Sequence, residues 1–273
     1  MQNSIQIKIP AADPSISEIL VARLSETGFD GFEEEEAFLL AYCNEPAFDE
    51  AALTALLSEY GLAFEKTVIK AQNWNEVWES NFHPVVVDSL VAVRAEFHKP
   101  IPGVQYEIVI TPKMSFGTGH HATTWMMMQQ LGKLDIIGKT VFDFGTGTGI
   151  LAILAQKLGA SSVTAIDNDE WCILNAAENI DRNNCRNIRL LQADSPLLGG
   201  EKFDVILANI NKNIIRQNLS LLANMLNEGG FLLLSGLLAE DEAGILLKTG
   251  EISLKFCFTT TRDKWICMLF NQK

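Results

Sequence analysis

The chain has 273 residues, 48% of them hydrophobic and 20% charged, with 8 Pro and 19 Gly. At roughly 150 residues per domain, that composition points to two ordinary globular domains and excludes collagen-like, solenoid and wholly disordered classes. No apolar run approaches the ~18 residues that span a bilayer, Met1 to Pro10 is polar without an apolar signal core, and the five cysteines and four histidines show neither C-x-x-C nor ligand spacing. A soluble cytoplasmic protein without disulfides or structural zinc is therefore expected.

The chain opens with an alternating strand, Ile5, Ile7 and Ile9, followed by a helix that Ser15 is placed to cap and that carries Ile16, Ile19, Leu20 and Leu24 on one face. Phe29 to Cys43 reads as two strands around the acidic run Glu33 to Glu36. Asp49 starts a second helix, with Leu53, Leu56, Leu57 and Tyr60, that stops at Gly61, and Phe64 to Ile69 is a last strand. The order βαββαβ predicts a ferredoxin-like domain over 1–70. Residues 1–70 hold 4 Lys+Arg against 13 Asp+Glu, so most of the net charge of −13 lies here. Such a field repels phosphate backbones and attracts basic partners; the alternative is a solvated acidic surface.

Residues 71–84 form a Trp-containing bridge in which Trp74, Trp78 and Phe82 recur every four residues, as on one face of a short helix. Packing between domains is the expected role, with ligand stacking as the alternative. A hairpin-like stretch, Val85 to Val93, and a strand, Tyr106 to Ile110, lead into a loop from Met114 to Thr124. From Thr140, strands at Val141–Phe144, Val163–Asp167, Ile188–Gln192, Phe203–Ala208 and Phe231–Ser235 alternate with helices near 150–158, 170–183 and 214–226. This is the pattern of a doubly wound parallel sheet, and strands at 254–259 and 264–270 would close it with an antiparallel edge hairpin. The chemistry-bearing domain is thus expected over 85–273.

The sharpest motif is Asp143-Phe144-Gly145-Thr146-Gly147-Thr148-Gly149, joining the first strand of that sheet to its helix. A dinucleotide fingerprint would need Gly at 150, where the chain has Ile150, whereas D-x-G-x-G-x-G fits a loop for S-adenosylmethionine. Asp167 ends the second strand 22 residues after Gly145, where an acidic residue can accept both ribose hydroxyls; Asp169 is its competitor. Asp194 follows the third strand, near an adenine or as a turn cap. The fourth strand ends Ala208-Asn209-Ile210-Asn211. Base and amide methyltransferases carry Asn-Pro-Pro-aromatic there, so an Asn without the prolines and ring suits a nonplanar amine, with a simple turn residue as the alternative. His120 and His121 sit on a Gly-rich loop, where backbone hydrogen bonding is the expected role and metal ligation the alternative.

Together with Ser115-Phe116-Gly117-Thr118-Gly119-His120-His121-Ala122-Thr123-Thr124, these motifs closely resemble the PrmA family, the methyltransferases of large-subunit ribosomal protein eleven. The resemblance covers nearly the whole chain: the βαββαβ unit, the N-W-x-x-x-W bridge, the F-G-T-G-x-H-x-T-T loop, D-x-G-x-G-x-G and A-N-I. It implies a class I, Rossmann-like methyltransferase domain with a mostly parallel seven-stranded sheet, preceded by a ferredoxin-like substrate-recognition domain. It also implies S-adenosylmethionine as cofactor, contacted by Phe116, Gly117, Thr124, Gly145, Gly147, Asp167, Asp194 and Asn209. Asn209 is the expected catalytic residue, orienting the amine. The implied substrate is ribosomal protein eleven, free or not yet assembled, methylated at lysine and N-terminal amino groups by a cytoplasmic monomer with no nucleic-acid substrate. Departures from the family pattern are Ala122 for Pro, Pro112-Lys113-Met114-Ser115 for Pro-Gly-Leu-Ala, and Asn211 for an apolar residue. Rival functions are methylation of another basic protein or small amine, and a noncatalytic S-adenosylmethionine-binding partner protein.

Overall fold

A computed structural model describes residues 3–10, 14–35, 37–69, 82–112, 117–196 and 200–273. They belong to two compact units, Met1–Asn81 and Phe82–Lys273. Among the described residues no helix is long and apolar enough to cross a membrane.

The first unit runs β1 (Ser4–Pro10), α1 (Pro14–Ser25), β2 (Gly31–Glu35), β3 (Phe38–Asn44), α2 (Glu50–Ser58) and β4 (Glu65–Ile69). Its antiparallel sheet has the order β2-β3-β1-β4, the ferredoxin-like arrangement. Strict alternation drives it: Ile5, Ile7 and Ile9 stand opposite Cys43, Ala41 and Leu39, and these six pack with Leu20, Leu24, Leu53 and Leu57 from the two helices. The Asp49 carboxylate caps α2 by accepting from the amides of Ala51 and Ala52, both at 3.0 Å, a motif worth about 1 kcal/mol. Helix α1 begins at Pro14, so Ser15 lies inside its first turn. The acidic run also differs from expectation. Glu33, Glu34 and Glu35 are not between strands but within β2, exposed on the sheet edge; Glu36 lies outside the described residues. Most of the expected helical bridge, residues 71–81, lies outside them too, while Phe82, His83 and Pro84 belong to neither helix nor strand.

The second unit opens with a three-stranded sheet, β5 (Val85–Val87), β6 (Val91–Ala95) and β7 (Tyr106–Ile110). Then follow α3 (Ala122–Leu131), β8 (Thr140–Phe144), α4 (Ile150–Lys157), β9 (Ser162–Asp167), α5 (Glu170–Arg182), β10 (Ile188–Gln192), β11 (Phe203–Asn209), α6 (Lys212–Asn224), β12 (Leu226–Leu238), α7 (Glu242–Thr249), β13 (Leu254–Arg262) and β14 (Trp265–Gln272). The seven-stranded sheet has the order β10-β9-β8-β11-β12-β14-β13. Strands β8 to β12 are parallel and β14 is antiparallel to both its neighbours. This is the class I methyltransferase sheet. Its strand order reverses beside β8, whose neighbours are β9 and β11, and the crevice at the carboxyl ends there is where such folds bind ligands.

Both faces of that sheet are covered. On β11, Val205 and Leu207 face a core with Met127, Leu151 and Leu154, while Ile206 and Ala208 face one with Ile215, Leu219 and Ile245. Helix α5 and its C-cap add amides to the apolar contacts of Ala176 and Ile180. The Asn179 side chain accepts from Thr111 N at 2.8 Å and donates to Thr148 O at 2.8 Å, and Asn183 accepts from Val109 N at 3.0 Å and donates to its carbonyl at 2.6 Å. Two asparagines four residues apart thereby satisfy backbone groups at the free edge of β7 and of the segment after it.

Candidate active site

Strand β8 ends at Phe144 and the chain turns at once, with the amides of Gly145 and Thr146 both donating to the Ile166 carbonyl at 2.9 Å. Gly145 has φ 75°, and a Cβ there would overlap the Ile210 side chain, so both conformation and space require glycine. Gly236 on β12, with φ 84°, is required for the same reasons, since a Cβ would run into the Ile210 carbonyl.

Asp167 holds the turn from the neighbouring strand. Its Oδ2 accepts from Gly147 N at 2.8 Å and its Oδ1 from Asp169 N at 3.1 Å. Each oxygen keeps a lone pair for a further donor. Asp169 instead caps α5, accepting from Trp171 N at 2.8 Å. Asp143 is fully buried, and its Oδ2 accepts from the Thr146 hydroxyl at 2.6 Å while its Oδ1 has no partner. Burial pushes its carboxyl up to about 7; the bond from the Thr146 hydroxyl opposes the shift and the Asp167 charge adds to it.

At the end of β11, Asn209 Nδ2 donates to Thr124 Oγ1 at 3.1 Å, which leaves Asn209 Oδ1 buried and unsatisfied. Thr124 is not on a loop as expected from sequence: it stands in the first turn of α3, which His121 caps by accepting from Thr123 N at 3.3 Å. The His121 ring also meets Trp265 edge-on at 4.7 Å. Asn211 accepts from Asn213 N at 2.8 Å, so this departure from the family pattern caps α6.

A cavity of about 660 Å³ joins these groups, within the roughly 300–1,000 Å³ range of small-molecule sites. Of the residues expected from sequence, Gly117, Thr124, Gly145, Gly147, Asp167 and Asn209 line it. Asp194 does not: it is exposed on a bend after β10. Phe116 lies outside the described residues. Sequence reading missed His121, Ile210, Gly236 and Trp265, which also line the cavity. The only local signal among them was His121, which directly precedes a helix where a capping side chain belongs. His120 does bond backbone, its Nε2 lying 2.8 Å from the His83 carbonyl.

The bare glycine backbone at the carboxyl ends of β8 and β9, the Asp167 carboxylate and the unsatisfied Asn209 oxygen suit a ligand with a hydroxyl-bearing, nucleoside-like part and a separate reacting end. S-adenosylmethionine is such a molecule. The sequence profile described as ribosomal protein L11 methyltransferase (PrmA) matches residues 22–273. The ribosomal protein L11 methyltransferase of Porphyromonas gingivalis is 43% identical over 261 residues, covering 93% of this chain and 90% of that protein. That of Phocaeicola vulgatus is 39% identical over 266 residues, 95% of each. Among solved structures, ribosomal protein L11 methylase from Lactobacillus delbrueckii subsp. bulgaricus superposes with a TM-score of 0.66 at 31% identity, covering 70% of this chain and 100% of that one. The chain belongs to the ribosomal protein L11 methyltransferase (PrmA) family.

Proposed function

We propose that this chain transfers methyl groups from S-adenosylmethionine to lysine and N-terminal amino groups of ribosomal protein L11, acting as a cytoplasmic monomer on the protein free of the ribosome. The observation that carries the chemistry is Asn209. Its amide nitrogen is held by Thr124, its carbonyl oxygen is buried without a partner, and the residue lines the cavity. An acceptor fixed in this way takes a hydrogen from an entering amine and aims the amine's lone pair.

When bound, S-adenosylmethionine supplies an activated methyl on a positively charged sulfur. Asp167 would accept the ribose hydroxyls with its remaining lone pairs, while Gly145 and Gly147 let the ligand lie against backbone. The amine of a lysine, with a pKa near ~10.4 in water, must lose its proton before it attacks, and transfer into this mostly apolar cavity favours the neutral form. His121 Nδ1 accepts from the Thr123 amide, so the neutral ring carries its proton on Nε2 and has no free lone pair to take another; positioning is the contribution this reading assigns to the protein. The first unit, with its acidic edge, is the recognition domain in this reading.

Incubating purified L11 with labelled S-adenosylmethionine tests the proposal. Label should enter lysine side chains and the N-terminus of L11 with the native enzyme. With Asp167→Ala, cofactor affinity should fall by about 2–4 kcal/mol, because ribose hydroxyls lose a charged acceptor. Efficient labelling of a different basic protein and none of L11 would overturn the substrate assignment.

A further inference from the structure

The segment 117–121 contributes Gly117 and His121 to the cavity, yet it carries two glycines with positive φ, 102° at Gly117 and 92° at Gly119. Such a segment loses more conformational freedom on ordering than an ordinary loop, so something must hold it. On one side the Gly117 carbonyl accepts from Thr148 Oγ1 at 2.7 Å, which ties the segment to the glycine turn after β8. On the other side stands His120, the unspecified position of the F-G-T-G-x-H-x-T-T pattern. Its Nε2 lies 2.8 Å from the His83 carbonyl and its Nδ1 lies 3.0 Å from Thr118 Oγ1. A carbonyl oxygen only accepts, so Nε2 carries the proton and Nδ1 accepts from the threonine hydroxyl; one neutral tautomer satisfies both. The Phe82 ring meets the imidazole edge-on at 4.8 Å. Phe82 and His83 are the first residues of the second unit, so the cavity-facing segment is fastened to the stretch by which the chain enters that unit.

We propose that His120 is a positioning residue for this reaction: through its bond to the His83 carbonyl it holds residues 117–121 in place, and so keeps Gly117 and His121 against the cofactor. This rests on the reading that the cavity binds S-adenosylmethionine. The side chain is exposed and does not line the cavity, so its effect passes entirely through the segment it fastens.

Three substitutions separate the bond from the ring. His120→Ala removes both. His120→Phe keeps a ring beside Phe82 but no donor, and His120→Gln restores an N–H donor near the Nε2 position. S-adenosylmethionine affinity, measured by calorimetry on the full chain, should weaken roughly three- to tenfold in the Ala and Phe variants and recover in Gln, as expected for one lost hydrogen bond. Amide exchange over 117–121 should accelerate in the same two variants, and KM for the cofactor should rise with kcat at saturation little changed. A Phe variant that matches the native protein, a Gln variant as weak as Ala, or unaltered exchange would overturn the proposal. Asp167→Ala serves as the reference. If it loses the cofactor while the His120 variants do not, His120 is not a positioning residue and the cavity assignment stands. If Asp167→Ala binds normally, the cavity assignment fails, and amide exchange still decides whether His120 fastens the segment.

Discussion

The two sheets treat polar residues in opposite ways. In the first unit every other residue of β1 is buried, and the residues between them face outward, where Lys8 pairs with Glu35 at 3.3 Å and Gln6 donates to the Tyr42 hydroxyl at 2.9 Å. In the second, β8 and β11 are buried on both faces, so a polar side chain on either strand must find a partner inside the protein or remain unsatisfied. Asp143 and Asn209 are the two that remain partly unsatisfied, and both stand at the carboxyl ends of central strands. A polar residue on a one-sided antiparallel sheet needs no special explanation. On a two-sided parallel sheet an unpaired buried oxygen needs an explanation, and the two differ in theirs: Asn209 lines the cavity, whereas Asp143 does not and is bonded to Thr146.

Asn209 gives the largest expected effect. If its free oxygen exists to orient the amine, Asn209→Ala should lower kcat by about 10²–10³-fold, the scale seen when one preorganised polar group is removed from an active site. Cofactor affinity should fall much less. Steady-state kinetics on L11 combined with calorimetry separates the two, and a turnover within a few fold of native would place Asn209 among ordinary turn residues.

Asp143 tests the same contrast through pH. Its folded-state pKa, about 7, lies above the ordinary 3.8, so its stabilising contribution is full below about pH 4 and is lost as pH rises through about 7. Asp143→Asn abolishes the charged form. The variant should match the native protein below about pH 4, gain on it steadily between about pH 4 and 7, and exceed it by about 2–4 kcal/mol above pH 8, read from thermal unfolding across that range. A gap that does not change with pH would mean that the carboxyl titrates like an exposed one.

How much of this was legible in the sequence follows from the same burial rule. Alternation in β1 and apolar runs in β8, β9 and β11 are direct records of one-sided and two-sided burial, and the glycines and Asp167 mark the turn between them. Helix α3 left no such record, because Met126, Met127, Met128 and Leu131 are all fully buried; a helix apolar on successive residues has no 3.6-residue period to detect. Helix α7 is short, with Ile245 and Thr249 its buried residues, and offers too few apolar positions to show a stripe. The Asn209–Thr124 bond joins residues 85 apart, and Gly236 is fixed by the carbonyl of Ile210, just past the end of β11. Such constraints exist only after the strands are assembled. Glu33 to Glu35 misled for a different reason: acidic residues disfavour strands, yet an edge strand tolerates them because its side chains reach water.

That edge gives the smallest expected effect. Among the described residues, Glu33 and Glu35 make only exposed contacts, with the Tyr42 hydroxyl and Lys8, each at 3.3 Å, so replacing Glu33, Glu34 and Glu35 by Gln should change stability by less than about 1 kcal/mol. Two roles remain for the charge. It can keep a free strand edge from pairing with other chains, in which case uncharged amides should increase self-association and leave methylation alone. Alternatively, it attracts the basic substrate. The triple variant should then bind L11 more slowly at low salt, by roughly two- to fivefold, with a flatter dependence on ionic strength and an unchanged dissociation rate, because exposed charges act mainly on encounter. Stopped-flow association with L11 at low and high salt, beside sedimentation of the variant alone, distinguishes the two. An association rate equal to native at low salt would remove the acidic edge from substrate recognition and leave its charge as protection of the sheet.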